Sequence, residues 1–285
     1  MIIQEVIIPM SMKQIIKKMI KKINKKSIIP VFENYQTCDF LNDKIVLLIG
    51  GTGGIGTAIL SKLIGHNCKI IVSGSNEKKL KALEEKYIDD SNISFICFDL
   101  QRFDNYELFL SESIAKFGRV DIVIFASGVH TEATKLENVS PLEYDRVLNI
   151  NLKSPFFIGN MFADYMASSH IQGKICFISS TRGYEPAWTP YGLSKAALNQ
   201  MIKGLGKKYV SKGIIINGIA PGPTATSLIG YEEGNGIETN ETSVGRLVLP
   251  EEVADFTIYL VSPSGDLFVG QTIPFGGGRG VFDIR

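Results

Sequence analysis

The sequence is short of the groups that build metal sites and covalent cross-links. It has 4 cysteines and 3 histidines among 285 residues. Cys38, Cys68, Cys97 and Cys176 show no metal-ligand spacing, and His66, His130 and His170 are scattered, so no metal is expected. Three of the cysteines sit in apolar runs that read as buried strands, which predicts reduced core thiols in a cytoplasmic protein. Net charge is missing as well. With 30 basic and 29 acidic residues the chain has no global field to gather polyanions, which argues against nucleic acid as a partner. No apolar run reaches the length of a membrane span. A secretory signal is not expected either, because the first lysines follow the first apolar stretch and no small-residue cleavage site comes after them. Internal repeats and low-complexity tracts are absent.

What is present is one large α/β pattern behind a basic extension. Lys13, Lys17, Lys18, Lys21, Lys22, Lys25 and Lys26 crowd into residues 11–26, where Met12, Ile15, Ile16, Met19 and Ile23 recur at helical spacing. Such a helix packs on its own domain or a sister subunit, or lies on an anionic membrane surface; without Trp or Phe in the stripe, packing is favoured. Residues 1–41 read as this extension and residues 42–285 as a single domain. In the latter, short β-branched runs alternate with helical patterns, the signature of a parallel sheet covered on both faces. Strands are expected over 44–50, 68–73, 93–98, 120–126, 174–179, 214–219 and 271–275. They predict a doubly wound, Rossmann-type fold with a mainly parallel, seven-stranded sheet. The stretch from Gly222 to Gly245 has no clear period and reads as a lid or binding loop.

The first strand runs into Gly50-Gly51-Thr52-Gly53-Gly54-Ile55-Gly56 and then a helical pattern. Glycine lets the backbone turn sharply beside a pyrophosphate, and the helix N-terminus attracts its charge. Five glycines in seven positions at the first strand-to-helix junction point to a dinucleotide. Cofactor choice belongs at the end of the second strand, where a carboxylate would accept both ribose hydroxyls of NAD. Ser73-Gly74-Ser75-Asn76 offers none, and Lys78 and Lys79 follow. That favours NADP(H), with NAD(H) as the alternative. Tyr191 and Lys195 stand four apart at the start of a long helical pattern, on one face. A lysine ammonium beside a phenol favours the phenolate, which suits general acid-base work. Upstream, Ile178-Ser179-Ser180 ends a strand and puts a hydroxyl at the sheet edge where ligands bind.

In this order of motifs, from Asn42 to Gly278, the sequence resembles the short-chain dehydrogenase/reductase family. The match includes Gly50, Gly54 and Gly56, Asp99 after the third strand, Asn151 in Ile150-Asn151-Leu152-Lys153, and Ser180, Tyr191 and Lys195. It continues through Asn217-Gly218-Ile219-Ala220-Pro221-Gly222, Gly245-Arg246, Pro250-Glu251-Glu252-Val253-Ala254 and Gly270-Gln271. The resemblance implies hydride transfer between a nicotinamide and a carbonyl or secondary alcohol. Tyr191 would be the acid-base, Ser180 would hold the carbonyl oxygen, and Lys195 would stabilise the phenolate and hold ribose hydroxyls. Asn151 would hold a water that refills the proton. The implied cofactor set is Gly50, Thr52, Gly53, Gly54, Ile55, Gly56, Ser75, Asn76, Asp99, Leu100, Ala126, Gly128, Tyr191, Lys195, Pro221, Gly222, Thr224 and Thr226. The family also implies a homotetramer or homodimer built on the helices carrying Asn151 and Tyr191.

Three departures stand out. Ile49 replaces the family's usual Thr, Phe125-Ala126-Ser127-Gly128 replaces Asn-Asn-Ala-Gly, and only eleven positions separate Ser180 from Tyr191. The last leaves Ser179 as the alternative hydroxyl. The resemblance is strongest to 3-oxoacyl-acyl-carrier-protein reductases, which implies that substrate class. The loop from Gly222 to Gly245 mixes Leu228, Ile229, Tyr231 and Ile237 with Glu232, Glu233 and Glu238, so a sugar or polysaccharide precursor is the alternative. A reading of another class is a dinucleotide-binding scaffold or sensor. His130 follows the fourth strand at the active-site edge, as a solvated loop residue or a substrate contact.

Overall fold

The seven apolar runs form strands whose two faces are largely covered by helices. A computed structural model describes residues 39–279 together with Met12. Its strands are β1 (Ile45–Ile49), β2 (Lys69–Gly74), β3 (Ile93–Cys97), β4 (Ile122–Phe125), β5 (Lys174–Ile178), β6 (Ile215–Pro221) and β7 (Thr272–Phe275). They make one sheet in the order β3-β2-β1-β4-β5-β6-β7. Every neighbouring pair is parallel, so the expected mainly parallel sheet is parallel throughout the described residues. The helices are α1 (Gly54–Ile64), α2 (Glu77–Lys86), α3 (Tyr106–Phe117), α4 (Pro141–Leu148), α5 (Ser154–Ser168), α6 (Pro190–Tyr209) and α7 (Pro250–Val261).

Alternation along each strand sorts the core into two layers. Ile45, Leu47 and Ile49 join Val123, Phe125, Ile175 and Phe177 against α3, α5 and α6. Val46 and Leu48 join Ile70, Val72, Ile122 and Ile124 against α1, α2 and α7. Phe125 stacks on Phe177 across β4 and β5 at 4.6 Å between ring centroids. The order of strands reverses at β1, between β2 and β4, and opens a crevice beyond the carboxyl ends of the sheet.

Local chemistry sets where helices begin. Asn76 accepts from the Lys79 amide at 2.9 Å to cap α2, Ser140 from the Glu143 amide at 3.1 Å to cap α4, and Thr189 from the Gly192 amide at 3.1 Å to cap α6. Pro141 and Pro190 follow two of these caps, where a proline costs no hydrogen bond. Between α4 and α5 the chain makes a π-helical turn, Asn149–Lys153, which carries Asn151. Of the cysteines expected in buried strands, Cys68 and Cys176 are buried, whereas Cys97 is exposed at the end of the edge strand β3, between the buried Ile96 and Phe98. The lysine-rich stretch over 11–26 lies outside the described residues except for Met12, and so does most of the proposed extension over 1–41.

Candidate active site

The glycine turn is as tight as backbone allows. Gly50 has φ of +86°, a conformation that side chains resist, and a Cβ there would lie 2.5 Å from the Ser127 amide nitrogen. A Cβ on Gly56 would lie 2.1 Å from the Gly50 carbonyl oxygen. These glycines bring β1 directly onto the N-terminus of α1, which no side chain caps. The first amides of α1 therefore point into the crevice without partners from their own helix.

Beside the turn is a cavity of about 180 Å³ lined by Gly50, Thr52, Gly53, Ser75, Asp99, Leu100, Ala126, Ser127 and Gly128, among others. Ser127 Oγ is buried there without a hydrogen-bond partner among the described residues. An uncapped helix end, a cradle kept open by glycine and an orphaned hydroxyl fit a dinucleotide. Asn76 stands outside this lining, and its Oδ1 caps α2. Neither Ser75 nor Asn76, directly after β2, is a carboxylate, and Glu77, Lys78 and Lys79 are exposed beyond them.

A second cavity of about 390 Å³ opens at the carboxyl ends of β5 and β6. Its lining includes Ile55, His130, Ser179, Ser180, Tyr191, Pro221, Gly222, Thr224 and Thr226. The two cavities thus bring together most of the expected cofactor positions. Gly54 and Gly56 shape the turn from behind: a Cβ on Gly54 would lie 2.6 Å from Thr226 Cγ2.

The two candidate serines differ in what they can still do. Ser179 donates to Asn199 Oδ1 at 2.6 Å, so its proton is committed. Ser180 accepts from the Arg182 amide at 3.2 Å and lines the same cavity as the Tyr191 phenol. Burial pushes that phenol above its ordinary range, against smaller opposing effects from Ser180 and the Arg182 charge. Lys195 is buried and donates to the Ile178 carbonyl at 3.0 Å. Its ammonium lies 5.7 Å from the centroid of the Tyr191 ring. Desolvation lowers Lys195 from 10.5 to about 8. The opposing charge at the phenol is that of Arg182 rather than the expected Lys195, and burial is the larger effect.

Asn151 acts as a brace. Its Oδ1 accepts from the Val129 amide and its Nδ2 donates to the Val129 carbonyl, both at 2.9 Å. Nδ2 also reaches Ser194 Oγ at 3.2 Å, and Ser194 donates to the Tyr191 carbonyl at 2.7 Å. The π-helical turn on α4–α5 is thereby tied to the strand end after β4 and to the first turn of α6.

His130, left open between solvent and substrate by the sequence, stacks on the Tyr191 ring at 4.4 Å and 22°. Its Nδ1 lies 3.0 Å from the Thr131 carbonyl, a contact that requires the proton on Nδ1. Sequence reasoning missed an ion-pair cluster at the cavity rim. Arg279 pairs with Glu185 at 2.8 Å and with Glu241, while Arg182 pairs with Glu185 at 3.0 Å. Nothing in the local pattern around these residues announces their meeting.

The short chain dehydrogenase family model matches residues 44–234. An acetoacetyl-CoA reductase of Acinetobacter sp. (strain RA3849) is 30% identical over 242 residues, covering 82% of this chain and 97% of the relative. A 3-oxoacyl-acyl-carrier-protein reductase of Rickettsia felis is 32% identical over 243 residues, covering 84% and 97%. Among solved structures, a short chain dehydrogenase from Bacillus anthracis superposes with a TM-score of 0.78 at 24% identity, covering 86% of this chain and 100% of that one.

Proposed function

The chain belongs to the short chain dehydrogenase family of oxidoreductases acting on carbonyl and alcohol groups, and we propose that it reduces a 3-oxoacyl thioester with NADP(H). The observation that carries this reading is the Tyr191 phenol, which shares with Ser180 a cavity whose other wall is the Pro221–Thr226 segment. The two relatives named as acetoacetyl-CoA and 3-oxoacyl reductases support the substrate class.

A bound nicotinamide dinucleotide would supply the hydride. Gly50, Thr52, Gly53, Gly54, Ile55 and Gly56 would hold its pyrophosphate, and Asp99, Leu100, Ala126 and Gly128 its adenosine side. Pro221, Gly222, Thr224 and Thr226 would hold the nicotinamide end. NADP(H) is favoured by the absence of a carboxylate at positions 75 and 76, directly after β2, where Ser75 leaves room for a 2′-phosphate, and by exposed Lys78 and Lys79, which outnumber the neighbouring Glu77. Ser180 has one lone pair occupied by the Arg182 amide, so its own proton is available to hold the substrate oxygen. Tyr191 then gives its proton to that oxygen. Burial, which keeps the phenol protonated, suits an acid working in the reductive direction. Lys195, buried beneath, holds a cation near the phenolate as it forms and would reach the ribose. Asn151 fixes the spacing between the strand end and α6.

Exposed Leu142, Tyr144, Phe156, Phe157 and Leu193 on the helices around Asn151 and Tyr191 support self-association on that face. A second substrate class, a sugar-type ketone, is favoured by the charged rim of Arg182, Glu241 and Arg279. NADPH oxidation with acetoacetyl and keto-sugar substrates decides between them. Tyr191→Phe should lower kcat by about 10²- to 10⁴-fold with nearly unchanged NADPH affinity. Wild-type turnover in that variant would overturn the mechanism.

A further inference from the structure

Next to the cavity that holds Tyr191 lies a third, of about 400 Å³. Val244, Leu247, Val248, Pro274 and Phe275 give it an apolar wall, and the backbone of Gly276, Gly277 and Gly278 gives it a narrow one. Two of its charged groups, Arg246 and Glu252, neutralise each other in a two-pronged ion pair at 2.8 and 2.6 Å. The linings of the two cavities have a single residue in common, Arg279.

Arg279 is a wall held in place from both sides. Its side chain is 12% exposed. Glu185, from the segment after β5, takes Nε, and Glu241, from the loop after β6, takes Nη1. Ser243 and Val244 donate to the Gly277 carbonyl at 2.9 and 3.2 Å, which pins the same loop over the segment leading to Arg279. An extended, planar guanidinium fixed by two carboxylates cannot swing aside without breaking charge-assisted bonds in a partly dry setting.

We infer that Arg279 is a specificity-determining residue: it separates the reaction cavity from an apolar cavity sized for the tail of an acyl chain, so that the protein selects short oxoacyl groups. Once the guanidinium is released, the two spaces join, and a substrate whose carbonyl sits at Tyr191 can pass its tail toward Leu247 and Phe275. The combined space suits a medium-chain acyl group, and the methylenes gain by leaving water. This inference rests on the reading of the site as an oxoacyl reductase.

The test uses the full-length protein with NADPH and a series of N-acetylcysteamine thioesters from acetoacetyl to 3-oxododecanoyl. The wild type should prefer the short end of the series. In Arg279→Ala the ratio of kcat/KM for 3-oxodecanoyl over acetoacetyl should rise at least about tenfold, as expected when a pocket accepts several more methylenes. Glu241→Gln, which leaves the arginine but removes one of its anchors, should shift the ratio the same way by a smaller factor and guards against a folding defect in Arg279→Ala. An unchanged ratio in both variants, or a wild type that already favours the long substrates, would overturn the partition. Calorimetric binding of decanoyl-N-acetylcysteamine, which has no 3-oxo group, is the second readout. If no oxoacyl substrate is turned over, the functional reading fails. Tighter binding of the decanoyl ester by Arg279→Ala than by wild type would still establish the wall, and equal binding would remove it.

Discussion

The glycine turn after β1 and the rim above Tyr191 belong to one site but are made in opposite ways. In the turn, geometry is a property of backbone: residues 50–56 are contiguous, and Gly50, Gly51, Gly54 and Gly56 leave no room for side chains. At the rim, geometry is a property of side chains brought from afar, with Arg279 bonded to Glu185 and Glu241 across 94 and 38 positions. The contrast separates what a hydride-transferring site must keep from what it can adjust. Cofactor phosphate and proton donor need fixed positions, and those come from elements whose ends are set locally. The substrate's outer part meets groups that single substitutions can rearrange while the sheet stays intact.

Substituting within the turn should give the largest effect. Gly56→Val would force a Cβ onto the Gly50 carbonyl and should cost about 1–3 kcal/mol of stability and abolish NADPH binding. Denaturant unfolding and fluorescence titration measure both. A variant that binds NADPH normally would show the turn to be less constrained than its contacts indicate.

Lys195 stands where the two regions meet, and its effect is read against pH. Its folded pKa of about 8 lies below the ordinary 10.5, so between these values the unfolded chain binds more protons. Wild-type stability should therefore rise with pH across that window relative to Lys195→Met, with a slope approaching about 1.4 kcal/mol per pH unit. The comparison with the variant is needed because the buried thiols of Cys68 and Cys176, pushed up to about 11 and about 12, act in the opposite sense above their ordinary 9.0. Parallel stability curves for the two proteins would rule out the buried-lysine account. The smallest effect belongs to the rim. Glu241→Gln should change stability by less than about 1 kcal/mol, since Glu241 is more than half exposed, even as it alters substrate preference. A large loss of melting temperature would mean that the ion pairs hold the fold as well as the cavity wall.

The same contrast explains what could be read in the sequence. The strands were legible because β-branched runs buried on both faces stay apolar throughout, as in Ile45–Ile49. The turn was legible because its requirement is written in consecutive glycines, and Tyr191 and Lys195 because one helical turn relates them. Asn76, read as a cofactor contact, also caps α2 through its Oδ1, a role that the serine-asparagine pair before a lysine-rich helix could have suggested. Cys97 looked buried because it sits between the apolar Ile96 and Phe98, which are buried on one face of the edge strand β3 while Cys97 points to the other. His130 was placed at the right edge, but stacking on Tyr191 depends on a loop path that carries no periodic signal. The Arg182–Glu185–Arg279–Glu241 cluster had no local signature at all, because pairing between distant charged residues leaves no pattern in either neighbourhood.

The π-helical turn Asn149–Lys153 has a consequence for how this site could have arisen and how it could be lost. An α-helix advances about 100° per residue, so one residue more or fewer in the turn would rotate everything from Ser154 onward by that angle. Ser154, which now accepts from the Tyr106 hydroxyl at 2.9 Å, and Phe162, buried beside Phe109, would leave their positions together. No series of point substitutions passes smoothly between the two registers. The brace that Asn151 makes is thus a difference in chain length, open to insertion or deletion but sheltered from gradual drift.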